Sequence, residues 1–126
     1  MRSLIFAGIQ RYSLFSPNHV GNDAAIFSAV AQYLKENGHQ VNMYTEQEFL
    51  TNSLKGEKYI FTMMRSKASV RKLQKLEEKE DCFAVNSGHG IENCTRERMT
   101  TLLLENQISH PRSLIWDTND GVTEAL

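Results

Sequence analysis

Short continuous apolar runs alternate along the chain with stretches in which apolar residues recur every three or four positions. The short runs are typical of strands buried on both faces of a sheet, and the longer spacing is typical of amphipathic helices. The predicted strands cover residues 3–9, 41–44, 59–64 and 83–85. The predicted helices cover residues 23–37, 46–50, 67–80 and 95–106, and residues 114–116 are a candidate fifth strand.

Capping residues mark the ends of several of these elements. Asn22 or Asp23 is expected to cap the first helix, Gly38 to end it, and Thr45 to cap the second helix. The alternation of strand and helix predicts an α/β fold, a Rossmann-like three-layer sandwich with a short, mostly parallel sheet. Right-handed crossovers favour the strand order 3-2-1-4.

Composition and charge exclude several classes of protein. The 126 residues contain 14 Lys and Arg against 15 Asp and Glu, a formal charge of −1, which argues against a chain built to neutralise many phosphates. The apolar runs are too short to span a bilayer or to act as a secretory signal. Cys82 and Cys94 suggest no disulfide framework. We therefore expect a cytoplasmic domain.

The carboxyl ends of parallel strands are where ligands bind in such folds. With strands 1 and 4 predicted as neighbours, the loop 10–23 and the loop 86–93 converge there, and residues 64–66 contribute from strand 3. The candidate substrate-binding residues on these loops are Ser16, Asn18, His19, Asn22, Arg65, Asn86, Ser87 and His89. A phosphate or carboxylate at the start of the first helix is one interpretation, and a simply capped helix is the other.

Familiar catalytic and metal motifs are absent from the sequence. Gly88-His89-Gly90 resembles the start of a dinucleotide fingerprint, but Asn93 stands where its third glycine belongs. The chain has no Walker A lysine and no nucleophile elbow. Cys82, His89 and Cys94 lack a fourth ligand and paired Cys spacing, so no metal site is predicted.

The segment from Asn86 to Ser113 carries the most specific pattern in the chain. It runs from Asn86-Ser87 through a helix with basic residues to Ile108-Ser109-His110-Pro111-Arg112-Ser113. This pattern resembles ATP-grasp ligases at the junction between their amino-terminal domain and the first part of the ATP-grasp fold. The resemblance implies a pre-ATP-grasp domain at 1–90, followed at 91–126 by a junction helix and the start of a truncated ATP-grasp domain.

This resemblance also implies a function and a set of partners. Such ligases activate a carboxylate as an acyl phosphate, using ATP and Mg²⁺, for attack by an amine or thiol. The glycine-rich lid, nucleotide-binding lysines and acidic magnesium ligands lie further along those chains. We therefore expect this fragment to bind a small carboxylate or amine substrate, to have no catalytic residues of its own and to hold neither ATP nor Mg²⁺ tightly. Arg65 is expected to pair with a substrate carboxylate or, equally, with a neighbouring loop.

Two other functions remain open from the sequence. One is the amino-terminal half of a two-domain glycosyltransferase, and the other is a free-standing binding module without chemistry. The remainder of an ATP-grasp chain is the expected partner, with no role for nucleic acid or membranes. An apolar patch around Leu103, Ile108 and Trp116 is expected to favour self-association, including a homodimer.

Overall fold

A computed structural model of the chain describes residues 2–11, 20–79 and 82–113, with the side chains of 20–22 left out. The elements in these ranges are β1 (Ile5–Gln10), α1 (Val20–Glu36), β2 (Gln40–Thr45), α2 (Glu46–Thr51), β3 (Tyr59–Thr62), α3 (Lys67–Glu78), β4 (Phe83–Val85), α4 (Gly88–Asn93) and α5 (Arg96–Glu105). The predicted strand at 114–116 and Trp116 lie outside the described residues.

The four described strands form one parallel sheet, which confirms the predicted α/β, Rossmann-like class. The strand order is β2-β1-β3-β4, so the favoured order 3-2-1-4 is wrong. Strands β1 and β4 are not neighbours, because β3 lies between them. The alternation in β2 explains the correction: Gln40 and Asn42 are polar and suit an edge strand, whereas β3 is mainly apolar and suits the interior.

Helices cover both faces of the sheet. On one face, Phe27 of α1 stacks on Phe61 of β3, with ring centroids 4.8 Å apart. Gly8 of β1 lies beneath them, and a Cβ added to it would meet Phe61 Cζ at 2.7 Å and Met43 Sδ at 2.8 Å. Glycine is therefore required at this position by the close approach of three side chains.

The larger core lies on the other face, under α2, α3 and α4. Ala7 and Ile9 of β1 are fully buried there because successive strand residues point to opposite faces. The cluster is completed by Tyr44, Phe49, Ile60, Met64, Val70, Leu73, Ala84 and Ile91. Burying this much apolar surface on both sides of β1 is the main source of stability in the sheet.

Local capping chemistry sets the ends of the helices. Thr45 caps α2 in a reciprocal capping box with Glu48, as predicted. Gly38 follows α1 with φ of 84°, the left-handed conformation expected where that helix ends. Helix α4, with 6 residues and two glycines, was not predicted from the sequence, because glycine has a low helix propensity.

A buried carboxylate joins the loop before β3 to strand β2. Glu57 is 3% exposed, and its Oε1 accepts hydrogen bonds from Tyr44 Oη at 2.5 Å and Asn42 Nδ2 at 2.7 Å. Its Oε2 accepts from the Lys55 N–H at 2.7 Å. Burial acts to raise the pKa of Glu57, but the hydrogen bonds outweigh it and hold the pKa below the ordinary value. Burial, reinforced by Glu57, raises the pKa of Tyr44 to about 12.

The chain divides into two compact units, Met1–Ile91 and Glu92–Leu126. The first contains the sheet with α1, α2 and α3. The second contains α5, which has no buried residue, and the segment without regular secondary structure that follows it to Ser113. Among the described residues, no helix is both long and apolar enough to cross a membrane.

We predict that Glu57→Gln lowers the free energy of unfolding by about 1–3 kcal/mol at neutral pH, because Tyr44, Asn42 and Lys55 lose a charged acceptor. The folded pKa of Glu57 lies below its unfolded value, so its contribution is present above the ordinary value of 4.5. That contribution is lost as the pH falls from there through the folded pKa. Urea titrations across this range should therefore show the gap between wild type and variant closing in acid.

Glu36→Gln is the matched control, since Glu36 is exposed at the end of α1 and its amide replacement can still accept from Gln32. It should change the unfolding free energy by less than about 0.5 kcal/mol. A gap between wild type and Glu57→Gln that stays constant from neutral pH into acid would contradict the proposed role of the Glu57 charge.

Candidate functional site at the carboxyl edge of the sheet

The observed strand order places the topological switch point between β1 and β3. From β1 the chain moves outward to β2, and it then returns to the opposite side of β1 to form β3. Crevices outside the carboxyl ends of strands at such a reversal are the usual ligand sites in open parallel sheets. The candidate site is therefore formed by the residues that follow β1 and β3, together with the start of α1.

The ends of β1 and β3 are held together by Thr62. Its buried hydroxyl donates to the Ile9 carbonyl at 3.0 Å and accepts from the Met64 N–H at 3.0 Å. From the other side, Asn86 Nδ2 donates to the Thr62 carbonyl at 3.3 Å. The edge of the crevice is thus formed by strand ends that are bonded to one another, which limits their movement.

A small cavity of about 50 Å³ lies at this switch point. Its polar walls come from the end of β1 and the first turn of α1, and its apolar walls come from α1 and the residue after β3. The lining residues are Gln10, Arg11, Asp23, Ala24, Phe27 and Met63. A single water needs only about 10–15 Å³, so the cavity has room for more than one.

Arg11 and Asp23 form a partly buried ion pair in the wall of this cavity. Arg11 Nη1 lies 2.8 Å from Asp23 Oδ2, and the two side chains are only 17% and 16% exposed. Among the residues that the structure describes, the buried Nε atom of Arg11 has no hydrogen-bond partner. A buried donor without a partner costs about 1–3 kcal/mol.

A second buried carboxylate shapes the loop after β3. Glu46, the first residue of α2, is 2% exposed, and its Oε1 accepts from the backbone N–H groups of Arg65 and Ser66, each at 3.0 Å. Ser66 in turn caps α3 by accepting from the Ser69 N–H at 3.2 Å. Because the loop backbone is held by Glu46, the Arg65 side chain extends from a fixed base.

The Arg65 side chain itself is exposed. In residues 2–11, 20–79 and 82–113 the structure gives its guanidinium no acidic partner. The planar fork of this arginine is therefore available to a carboxylate ligand at the carboxyl edge.

The structure does not bring the other predicted site residues together into one cluster. Asn86 reaches Thr62 as described, whereas Ser87 accepts the Gly90 N–H at 2.9 Å and so stabilises the first turn of α4. His89 lies on α4, more than half exposed, with its Nε2 3.7 Å from Glu78 Oε1 at the end of α3. No described hydrogen bond joins His89 to Arg65 or Asn86. Ser16, Asn18 and His19 lie outside the described residues, and Asn22 is in α1 with its side chain undescribed.

Arg11 was not predicted as a site residue from the sequence, and Asp23 was predicted only as a helix cap. Arg11 directly follows β1, and Asp23 lies in the first turn of α1. Because α1 begins at Val20, the predicted cap at Asn22 or Asp23 is wrong. Opposite charges at the two ends of a strand-to-helix connection were a signal for this pair.

Neither the arrangement of side chains nor comparison with known proteins indicates a metal site or a family. In the part of the chain that the structure describes, no group of three or more His, Cys, Asp or Glu side chains is arranged to hold a metal ion. Comparisons with protein-family models, with curated proteins and with solved structures found no match.

We predict that Glu46→Ala accelerates hydrogen exchange at the Arg65 and Ser66 amides by at least about tenfold, because both lose a charged acceptor. Glu46→Gln retains an acceptor oxygen and should preserve most of the protection. Amide exchange measured by NMR on both variants tests this. Equal protection of the two amides in wild type and Glu46→Ala would show that Glu46 does not hold the loop.

Proposed function

We propose that the chain is the amino-terminal, substrate-binding domain of an ATP-grasp ligase. In the complete enzyme, ATP would phosphorylate a substrate carboxylate, releasing ADP, and an amine or thiol would attack the acyl phosphate, releasing phosphate. ATP and Mg²⁺ would be held by the remainder of the ligase. The residues of this chain would bind and orient the substrate rather than carry out phosphoryl transfer.

The observation that carries this proposal is where the sheet-containing unit ends. The break between units falls between Ile91 and Glu92, inside the segment Asn86–Ser113 that resembles the ATP-grasp domain junction. Strand β4 ends immediately before Asn86, and the second unit contains α5, which carries basic residues at Arg96 and Arg98. A boundary between compact units in this segment, after a short parallel sheet, supports the assignment of the chain to the amino-terminal side of such a ligase.

The carboxyl edge of the sheet supports a substrate-binding role. Arg65 is exposed there, on a loop whose backbone is fixed by Glu46. A bidentate pair with an arginine is strong because two charge-assisted hydrogen bonds form in a single geometry. In the proposed enzyme Arg65 would hold a substrate carboxylate in position, which lowers the entropic cost of the reaction.

The first test is the natural coding sequence beyond the codon for Leu126. The proposal predicts a frame that continues with a glycine-rich lid, lysines for the nucleotide and late acidic ligands for Mg²⁺. The complete protein should then release ADP only when ATP, a carboxylate and an acceptor are all present. A stop codon directly after Leu126, with no separately encoded partner, would overturn the proposal in favour of a free-standing binding module.

A second prediction concerns Arg65 in the complete enzyme. Arg65→Ala should raise the KM for the carboxylate substrate by about ten- to a hundredfold, because a charge-assisted hydrogen bond is lost. The KM for ATP should be unchanged, and Arg65→Lys should recover part of the loss. Arg71→Ala, which removes an exposed arginine from α3, is the control. Unaltered steady-state kinetics in Arg65→Ala would exclude the substrate role.

A further inference from the structure

Residues of β3 and β4 form an apolar surface on the face of the sheet that carries α1. Phe61 lies on this face because it stacks on Phe27 of α1. Val85 is the register partner of Phe61 and therefore points the same way. Tyr59 and Phe83 are the registered pair two residues earlier, so they share this face as well.

This part of the sheet is open to solvent. Phe83 is 66% exposed and Val85 is 57% exposed. Helix α1 packs mainly on β1 and β2, whereas parallel sheets are normally covered by helices across both faces. Neighbouring strands are about 4.8 Å apart and a helix is about 10 Å wide, so the area over β3 and β4 has room for one more helix.

Helix α1 has an exposed apolar flank next to this open area. Three exposed residues recur at spacings of four and three along the helix: Ile26, Val30 and Tyr33. At about 100° per residue, they lie roughly 60–120° to one side of Phe27, which is buried against the sheet. A crossover from β1 through α1 to β2 is right-handed, which puts this flank on the side of β3 and β4.

The opposite flank of α1, towards β2, is polar, and its exposed residues are Ser28, Gln32 and Lys35. In the part of α1 whose side chains the structure describes, the large exposed apolar residues therefore lie on the side that adjoins the open part of the sheet. The two parts together form the α1–β4 groove, which contains Ile26, Val30, Tyr33, Tyr59, Phe83 and Val85. None of these six residues is charged.

The α1–β4 groove is large enough for a protein partner. A full aromatic side chain contributes about 150–250 Å², so at the exposures observed the six residues present roughly 600 Å² of mainly apolar surface. The largest apolar patch on a typical monomer is about 300–600 Å², and a standard interface buries about 800 Å² on each partner. The groove therefore supplies most of the area that a stable dimer needs.

The spacing of residues on α1 favours a second copy of this chain as the partner. Apolar residues that alternate four and three positions apart form the seam of a two-stranded coiled coil, in which two identical helices lie side by side. A two-fold axis running along α1 would also bring each α1 over β3 and β4 of the other copy. The outer side of α1 carries Ala25 and Ala29, whose small side chains allow a close approach to the second sheet.

We propose that the chain forms a homodimer through the α1–β4 groove, in which the two α1 helices pair in parallel about a two-fold axis. Each α1 then covers β3 and β4 of the other copy. The interface is isologous, so it closes at two chains. It buries Phe83 and Val85 in both copies, which gives the association a hydrophobic driving force.

Sedimentation velocity of the 126-residue chain at concentrations from about 1 μM to about 500 μM tests this dimer. The sedimentation coefficient should rise with concentration from that of a monomer to that of a dimer. We expect a Kd in the micromolar range, because the area of the groove is below that of a standard interface, and no species larger than a dimer.

Variants in both parts of the groove identify the interface. Val30→Asp should weaken dimerisation at least about tenfold, because it brings two carboxylates together beside the two-fold axis. Gln32→Asp adds the same charge to the opposite flank of α1 and should leave the Kd unchanged. Phe83→Ser removes apolar surface from the sheet and should also weaken dimerisation at least about tenfold. This variant keeps the test decisive if Val30→Asp fails to fold, which circular dichroism would show.

Ile108→Asp separates this dimer from association through the second compact unit, where Ile108 is also exposed. It should not alter the Kd. Dimerisation that is lost in Ile108→Asp but kept in Val30→Asp and Phe83→Ser would overturn the inference.

Two further results would overturn it. A chain that stays monomeric at every concentration would mean that no second copy covers the groove. Growth into open-ended oligomers would mean that the interface is not two-fold. Either result would leave the ligase proposal intact, because that proposal is decided by the downstream coding sequence and by ATP-dependent turnover.

Discussion

The structure depends on the burial of β1 on all sides. This strand pairs with β2 along one edge and with β3 along the other, and its residues Ala7 and Ile9 are fully buried beneath α2 and α3. On the opposite face, Gly8 lets Phe61, Met43 and Phe27 meet over the strand. A side chain there would force all three apart, so the contact of α1 with the sheet requires a residue without a Cβ. The switch point, where the candidate site lies, is the carboxyl end of this same strand.

Two buried glutamates complete the scaffold. Glu57 joins the loop before β3 to the edge strand β2, and Glu46 joins the start of α2 to the loop after β3. Each carboxylate replaces water with several protein donors, which is the condition for burying a charge at acceptable cost. Both act on loops that adjoin β3, so the position of this central strand is set by polar contacts as well as by apolar packing. The backbone of Arg65 is held in place by one of these two residues, Glu46.

The sequence predicted the class of fold and most of its elements, because each strand is a short apolar run and the helices carry caps such as Thr45. Strand order was not predictable in the same way, since it depends on which edge of β1 receives β3. The polar residues of β2 were a usable sign that it lies at an edge. The Arg11–Asp23 pair was not predicted either, because its two residues lie on opposite sides of the connection between β1 and α1 and are brought together only by folding. Helix α4 was not predicted because its two glycines have low helix propensity. In the folded chain the burial of Ile91 outweighs that low propensity.

Helix α5 differs from the others in having no buried residue. Ten residues are too few to form a stable helix in water from backbone hydrogen bonds alone, and the Thr95 cap contributes only about 1 kcal/mol. Its Met99 and Leu104 side chains are about half exposed. Unwinding of α5 would therefore sacrifice little buried surface, and proteases need an unwound segment to cut. Limited digestion should cleave α5 well before the sheet. The rate of cleavage at α5 would therefore report whether another molecule is bound over this helix.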